Sequence, residues 1–232
     1  MKIAIVIDDT GETSAEQLEI KEFLSLGIPI TFAVLPGRSG TFGAVKLLQD
    51  KKIPYLLHMP MQPLEPTRSA GEGTLFTNMS NAQIEENFLR SLKEVGAPVG
   101  VSNHMGAGFT EDYEKMKFFL GLVKSKNMFF FDSLTTGRSV GRTVAKELGM
   151  KCFARDTFLT TREEDVKEKQ IPVLLNLVKQ RGYSVAIGHI GMWYVVPITK
   201  VLREAIPEIT RQGVEFVYLK DLMESTINPV QI

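Results

Sequence analysis

Short runs of β-branched and aromatic residues recur along this chain at 3–7, 30–35, 55–57, 99–102, 128–131, 151–154, 184–188 and 215–219. Between them, apolar residues recur with the spacing of a helix face over 15–26, 41–51, 82–95, 111–126, 140–148, 163–181 and 198–211. Capping residues precede several of these stretches: Thr13 and Ser14, Ser80 and Asn81, and Thr110. Strand–helix repeats of this kind predict an α/β domain with a mainly parallel sheet. Eight strands in 232 residues fit a closed or nearly closed barrel better than an open sheet. No linker, low-complexity segment or internal repeat divides the chain, so residues 1–232 are expected to form one domain. The longest irregular stretch, 59–78, follows the third strand and carries Pro60, Pro63, Pro66, Gly71 and Gly73. A loop of that length inside a folded domain is usually functional. The segment "GMWYVVP", 191–197, also reads as irregular.

Composition narrows the class. With 44% hydrophobic and 23% charged residues, the chain can bury a substantial core as a soluble domain. Its formal net charge of zero offers no broad basic face to nucleic acid or anionic lipid. The single cysteine, Cys152, rules out an internal disulfide framework and a cysteine-rich zinc site. It lies in an apolar run and reads as a buried, inert thiol. No apolar run approaches the roughly 18 residues of a membrane helix. Lys2 and the run 3–7 faintly resemble the start of an export signal, but the apolar part is short and carboxylates stop it at once.

The chemistry collects at the strand ends, where sites of parallel α/β folds lie. Asp8 and Asp9 end the first strand, His58 the third, His104 the fourth and Asp132 the fifth; Arg155 and Asp156 end the sixth and His189 the seventh. All three histidines of the chain therefore fall on the same rim as an acidic pair. Each alone has a plainer explanation, since a strand-end aspartate often caps the next helix. Adjacent carboxylates, however, resist ionising together, and a cation would compensate them. Histidine and aspartate ligands without thiols suit Zn²⁺ or another divalent transition metal, and two His with one Asp leave an open coordination position. One aspartate can then bind the ion while the other serves as a base. Competing motifs fail: the aspartates are adjacent rather than Asp-x-Asp, His58 stands where a receiver domain needs an aspartate, and no phosphate-binding glycine loop follows a strand.

The ordered set "VIDDTG", "ITFAVLPG", "LLHMPMQP", "GEGTLFTNMS", "GVSNHMGAGFT", "FFFDS", "RDTFL" and "AIGHIG" resembles the divergent polysaccharide deacetylases, a branch of the NodB-like carbohydrate deacetylase superfamily. The resemblance spans nearly the whole chain. It implies an irregular (β/α) barrel of about seven parallel strands and metal-assisted N- or O-deacetylation of a glycan. By position it assigns Asp9, His58 and His104 to the metal, Asp8 to the general base and His189 to the general acid. Gln62 stands where the ordinary branch has a further histidine, and Thr160 replaces the final Asp of the divergent pattern "RDVFLD". The chain itself leaves its location unknown; the resemblance suggests an extracytoplasmic protein if an export leader is missing from this sequence.

Further roles follow from these. His189 needs a partner to fix its tautomer; Asp156 is the candidate, with Arg155 as the alternative site residue, pairing with Asp8. Side chains alternate along a strand, so only one of the two is expected to face the site. Asp132 is a candidate support for a ligating histidine. Met61, Met105 and Trp193 flank the histidines in sequence and are candidate substrate contacts, with Trp193 suited to stack on a sugar. Three functions fit: a carbohydrate deacetylase, a catalytically weak barrel that keeps its metal site to bind glycan or a cell-wall partner, and a metal amidohydrolase of a small molecule.

Overall fold

Strand β1 (Lys2–Thr10) is buried along nearly its whole length and lies inside the sheet, where it pairs with three other strands. The structure is a computed structural model, which describes residues 1–65, 68–159 and 162–225; Pro66 and Thr160, singled out above, lie outside the described residues. After β1 come β2 (Thr31–Val34), β3 (Tyr55–Met61), β4 (Gly100–Met105), β5 (Phe129–Asp132), β6 (Cys152–Ala154), β7 (Thr157–Phe158), β8 (Tyr183–His189) and β9 (Glu215–Val217). All the pairings among them are parallel, in the order β6-β5-β4-β3-β2-β1-β8-β7. β9 adds to β1 at Lys2–Ala4, below the point where β2 begins to pair. The helices are α1 (Gln17–Leu24), α2 (Thr41–Asp50), α3 (Asn81–Val95), α4 (Ala107–Thr110), α5 (Tyr113–Ser125), α6 (Gly141–Glu147), α7 (Glu163–Asp165), α8 (Ile171–Arg181), α9 (Met192–Arg211) and α10 (Leu219–Ser225).

The sheet curls into a barrel with one seam. β6 and β7 do not pair, yet only Arg155 and Asp156 separate them in the chain. The Arg155 N–H bonds to the Asp132 carbonyl beside β6 (3.1 Å), and the next N–H, from Asp156, bonds to Val185 of β8 (2.9 Å). The chain itself thus closes the ring where ladder hydrogen bonds do not. β7 escaped sequence reading because two residues are too short for any periodicity.

Strand alternation sorts the core into two layers. Ala4, Val6, Ala33, Leu56, Phe131, Phe153, Val185 and Ile187 pack together inside the barrel, closed below by Leu219, Leu222 and Met223 of α10. Ile3, Ile5, Ile7, Phe32, Val34, Leu57, Val101 and Phe130 face outward against helix residues such as Ile20, Phe23, Leu48, Phe88 and Phe119. Both faces being covered explains why the strand runs read as continuously apolar.

Three helices depart from expectation. The helical stretch 163–181 is continuous but passes through a π-turn at Val166–Gln170, just before Pro172. Proline has no N–H to offer and its ring crowds the preceding turn; widening to a π register, with the Ile171 N–H reaching Val166, accommodates it. α9 begins at Met192, so "GMWYVVP" is mostly helix rather than irregular; Pro197 lies within its second turn. α5 is capped by Asp112, which accepts from the Lys115 N–H, rather than by Thr110.

Phe131 is fully buried inside the barrel. Phe131→Ala is expected to cost about 3–5 kcal/mol, the usual range for emptying a buried aromatic site. Equilibrium urea unfolding measures it, and a cost below about 1 kcal/mol would show that the interior is not packed this way.

Candidate metal centre

Above the apolar interior layer the same inward positions become polar. The series Ala4, Val6 continues to Asp8 on β1, Leu56 continues to His58 on β3, and Val185, Ile187 continue to His189 on β8. β4 contributes Ser102 and His104, in register with His58 and Pro60, while His189 lies in register with Asp8. Period-two alternation thus accounts for the inward aim of Asp8, His58, His104 and His189.

Alternation would turn Asp9 away. Instead Asp9 adopts a left-handed conformation, φ 62°. Ile7 pairs with Phe32 but Thr10 with Val34, so β1 carries one extra residue there, as in a β-bulge. This re-aims the second carboxylate at the histidines. Asp9 Oδ1 lies 2.8 Å from His104 Nδ1 and 3.2 Å from His58 Nε2. The three ligand atoms lie within 4.8 Å of one another.

These residues fit a divalent cation. The far nitrogen of His58, Nδ1, is 2.8 Å from the buried Ser102 hydroxyl. With its proton donated there, Nε2 presents a lone pair to a carboxylate oxygen, an arrangement that favours a cation between them. Burial holds His58 neutral at ordinary pH, down to about 4, outweighing the hydrogen bond and charge of Asp9. Burial pushes Asp9 upward, but the neighbouring imidazoles, above all the His104 hydrogen bond, outweigh it and hold the carboxyl well below the usual range. Asp9 and His58 are thus poised in their ligating states.

Asp8 is different. Burial, and then the Asp9 charge, push its carboxyl well above the usual carboxylate range, against the pull of Ser133 and Arg155. Its Oδ2 accepts from the Ser133 hydroxyl (3.2 Å), and its Oδ1 is buried without a partner. Ser133 is held in turn: its N–H bonds to Asn103 Oδ1 (2.9 Å), and its carbonyl accepts from Arg155 Nε (3.0 Å). Arg155 also bonds to the Leu134 carbonyl (2.9 Å) and lies 3.6 Å from the centre of the Phe158 ring. Beyond them His189 lies against the Phe158 and Tyr194 rings. Together these groups line a cavity of about 620 Å³, whose wall also takes Pro63, Leu64, Glu65 and Arg68 from the long loop after β3.

A family model described as divergent polysaccharide deacetylase matches residues 5–223. The chain belongs to that family. An uncharacterized protein of Haemophilus influenzae is 32% identical over 190 residues, covering 81% of this chain and 66% of that protein. The uncharacterized protein YibQ of Escherichia coli is 28% identical over 211 residues, covering 90% and 65%. The chain therefore spans about two thirds of the length of these curated relatives. Among solved structures, an uncharacterized protein of Agrobacterium tumefaciens superposes with a TM-score of 0.84 at 18% identity, covering 95% of this chain and 88% of that one. A family 4 acetyl xylan esterase from Clostridium thermocellum, in complex with cobalt, gives 0.58 at 16%, covering 97% and 91%. A CE4 family pseudoenzyme from Bacillus anthracis gives 0.51 at 14%, covering 96% and 65%. These likenesses establish the deacetylase barrel fold.

On this divergent deacetylase barrel several expected site residues are placed elsewhere. Asp156 does not reach His189: its carboxylate binds the Arg181 guanidinium and the Val185 N–H (2.8 Å). The seam turns Arg155 into the cavity and Asp156 out of it. Trp193 is 85% exposed and does not line the cavity; its neighbour Tyr194 does, because a helix rather than a loop begins there. Met61 faces the outer core and is fully buried, since β3 extends to it, whereas Met105 lines the cavity. Asp132 supports no histidine; it accepts from the Leu134 N–H (2.9 Å) and the Ser139 hydroxyl (2.6 Å). Gln62 turns to Thr77, whose N–H it accepts at 2.9 Å, and so holds the long loop. Burial of Cys152 pushes its thiol far up, consistent with an inert group. Ser133, Phe158 and Tyr194 were missed as site residues although they lie in "FFFDS", "RDTFL" and "GMWYVVP", since no local pattern records which side chains meet.

Two outcomes follow. His58 is held below its unfolded value, so the unfolded chain binds more protons between pH 6.5 and 4. The metal-free protein should lose stability as pH falls through that window, by up to about 3 kcal/mol. Thermal melting of wild type against His58→Gln checks this, and equal slopes would remove His58 as the cause. Asp156→Ala should cost about 1–3 kcal/mol by stranding the Val185 N–H and Arg181, while metal affinity measured by calorimetry stays unchanged.

Proposed function

We propose that this chain is a metal-dependent hydrolase that removes acetyl groups from carbohydrate, with zinc as its ion and cell-wall glycan as the substrate class, working outside the cytoplasm. The convergence of Asp9, His58 and His104 on one point carries the reading. Asp8 and His189, which a cation site does not itself require, stand on the same cavity. Family membership supports the acetyl chemistry.

A divalent ion held by Asp9, His58 and His104 would supply Lewis-acid polarisation of the acyl carbonyl and of a nearby water. The chain's own residues do the rest. Ser133 fixes one oxygen of Asp8 and leaves Oδ1 free to take a proton from the attacking water, help typically worth about 10²–10⁴-fold. Arg155 braces the turn that carries Ser133 and adds positive charge beside Asp8. His189 faces the cavity from β8, where it can give a proton to the departing amine or alkoxide. The carbon–oxygen bond to acetate forms as the bond to the sugar nitrogen or oxygen breaks.

Acetate release from N-acetylated and O-acetylated oligosaccharides, read beside metal content, tests this. Asp9→Asn should lose the metal. Asp8→Asn should keep it and lose most turnover, by about 10² or more. Metal and glycan binding without acetate release would identify a binding barrel instead; release only from small acylated molecules would reassign the substrate class.

A further inference from the structure

A histidine that handles protons usually has its second nitrogen tied to a carboxylate or carbonyl, which fixes the ring. His189 has no such tie. Its Nδ1 is buried and without a partner, and among the described residues no carboxylate is bonded to it. Asp156 is engaged with Arg181, and Asp8 with Ser133. Because Nδ1 is enclosed and the side chain lines the cavity, Nε2 is the nitrogen left to face it.

What His189 has instead is two aromatic neighbours. The Phe158 ring centre lies 5.6 Å away at 32°, and the Tyr194 ring centre 5.2 Å away at 41°. Each flank is anchored independently. Phe158 sits on β7, which pairs with β8, and is covered by Arg155, itself fixed by the Ser133 and Leu134 carbonyls. Tyr194 sits on the first turn of α9, whose N-terminal Gly191 donates its N–H to Glu19 of α1 (2.7 Å). Rings tilted at such distances attract and restrict one another's rotation.

We propose that Phe158 and Tyr194 are positioning residues: as an aromatic clamp they fix the plane of the His189 ring, the part a hydrogen-bonded carboxylate takes elsewhere. Its consequence for activity rests on the deacetylase reading; its consequence for the ring does not. Among the described residues the ring contacts of Phe158 and Tyr194 at this site are with His189 and Arg155, not with the ligand histidines, so the clamp acts through His189.

The test uses the whole, zinc-loaded chain and three variants. Tyr194→Phe keeps the ring and should leave turnover within about twofold. Tyr194→Leu, and independently Phe158→Leu, remove one flank and should lower kcat by about 10–10²-fold, the size of a modest misplacement of a reacting group. KM and zinc content should not change. NMR of ¹³C-labelled histidine gives a second reading, with His189 assigned by its loss in His189→Gln. In wild type and Tyr194→Phe its ring protons should be shifted upfield by the flanking rings; in either Leu variant they should move downfield. Unmoved His189 resonances in a folded Leu variant would overturn the clamp. So would a Tyr194→Phe loss as large as that of Tyr194→Leu, which would give the Tyr194 hydroxyl the role. If wild type releases no acetate from any carbohydrate, the deacetylase reading fails while the NMR comparison still decides the clamp. Should one Leu variant fail to fold, the other carries both readings.

Discussion

Two neighbouring carboxylates end a strand that is buried almost throughout, and the upper half of the molecule is arranged around holding them there. Regular strand geometry can aim only one of them inward. The left-handed Asp9 solves this, at a cost moderated because aspartate tolerates that conformation better than most residues. The same device recurs at Met105 and Leu134, beside His104 and Ser133. Of the five non-glycine residues with positive φ among the described residues, these three line one cavity, while Lys52 and Asn127 merely close helices α2 and α5. Backbone strain is thus gathered where side chains must be brought together against the natural alternation of strands.

The barrel interior changes character within a single two-residue step. Below it lie Val6, Leu56 and Ile187; above it lie Asp8, His58 and His189. An apolar floor keeps water from reaching the charged groups from underneath, which strengthens every interaction among them. It is also why Asp8 and His58 are both pushed by burial toward their neutral forms. The polar layer therefore depends on mutual pairing, and His58–Ser102, Asp8–Ser133 and Ser133–Asn103 form the hydrogen-bonded scaffold that supplies it.

Much of this was legible in the sequence. The strand runs, their parallel arrangement and the gathering of Asp8, Asp9, His58, His104 and His189 on one rim all follow from hydrophobic patterning and the rule that such sites sit at strand ends. What could not be read depends on local breaks in periodicity. The choice between Arg155 and Asp156 turns on the seam, where a two-residue strand makes alternation meaningless. Trp193 against Tyr194 turns on whether a helix begins at Met192, in a segment that reads as irregular. Met61 was misplaced because β3 runs beyond the residues that look strand-like. The conformation of Asp9, on which the ligand set depends, leaves no mark in composition at all.

The seam has a mechanical side. A barrel closed by ladders all round must break several hydrogen bonds to widen, but between β6 and β7 the ring is joined by a single covalent strap, Arg155–Asp156. Flexing that strap would work against the hydrogen bonds of Arg155 and Asp156 to Asp132, Ser133, Leu134, Val185 and Arg181 rather than against a strand ladder. Since Arg155 lies on the strap and also braces the turn bearing Ser133, any such breathing is transmitted directly to the carboxylate of Asp8. The fold behaves as a split ring whose gap coincides with its most chemically loaded arc.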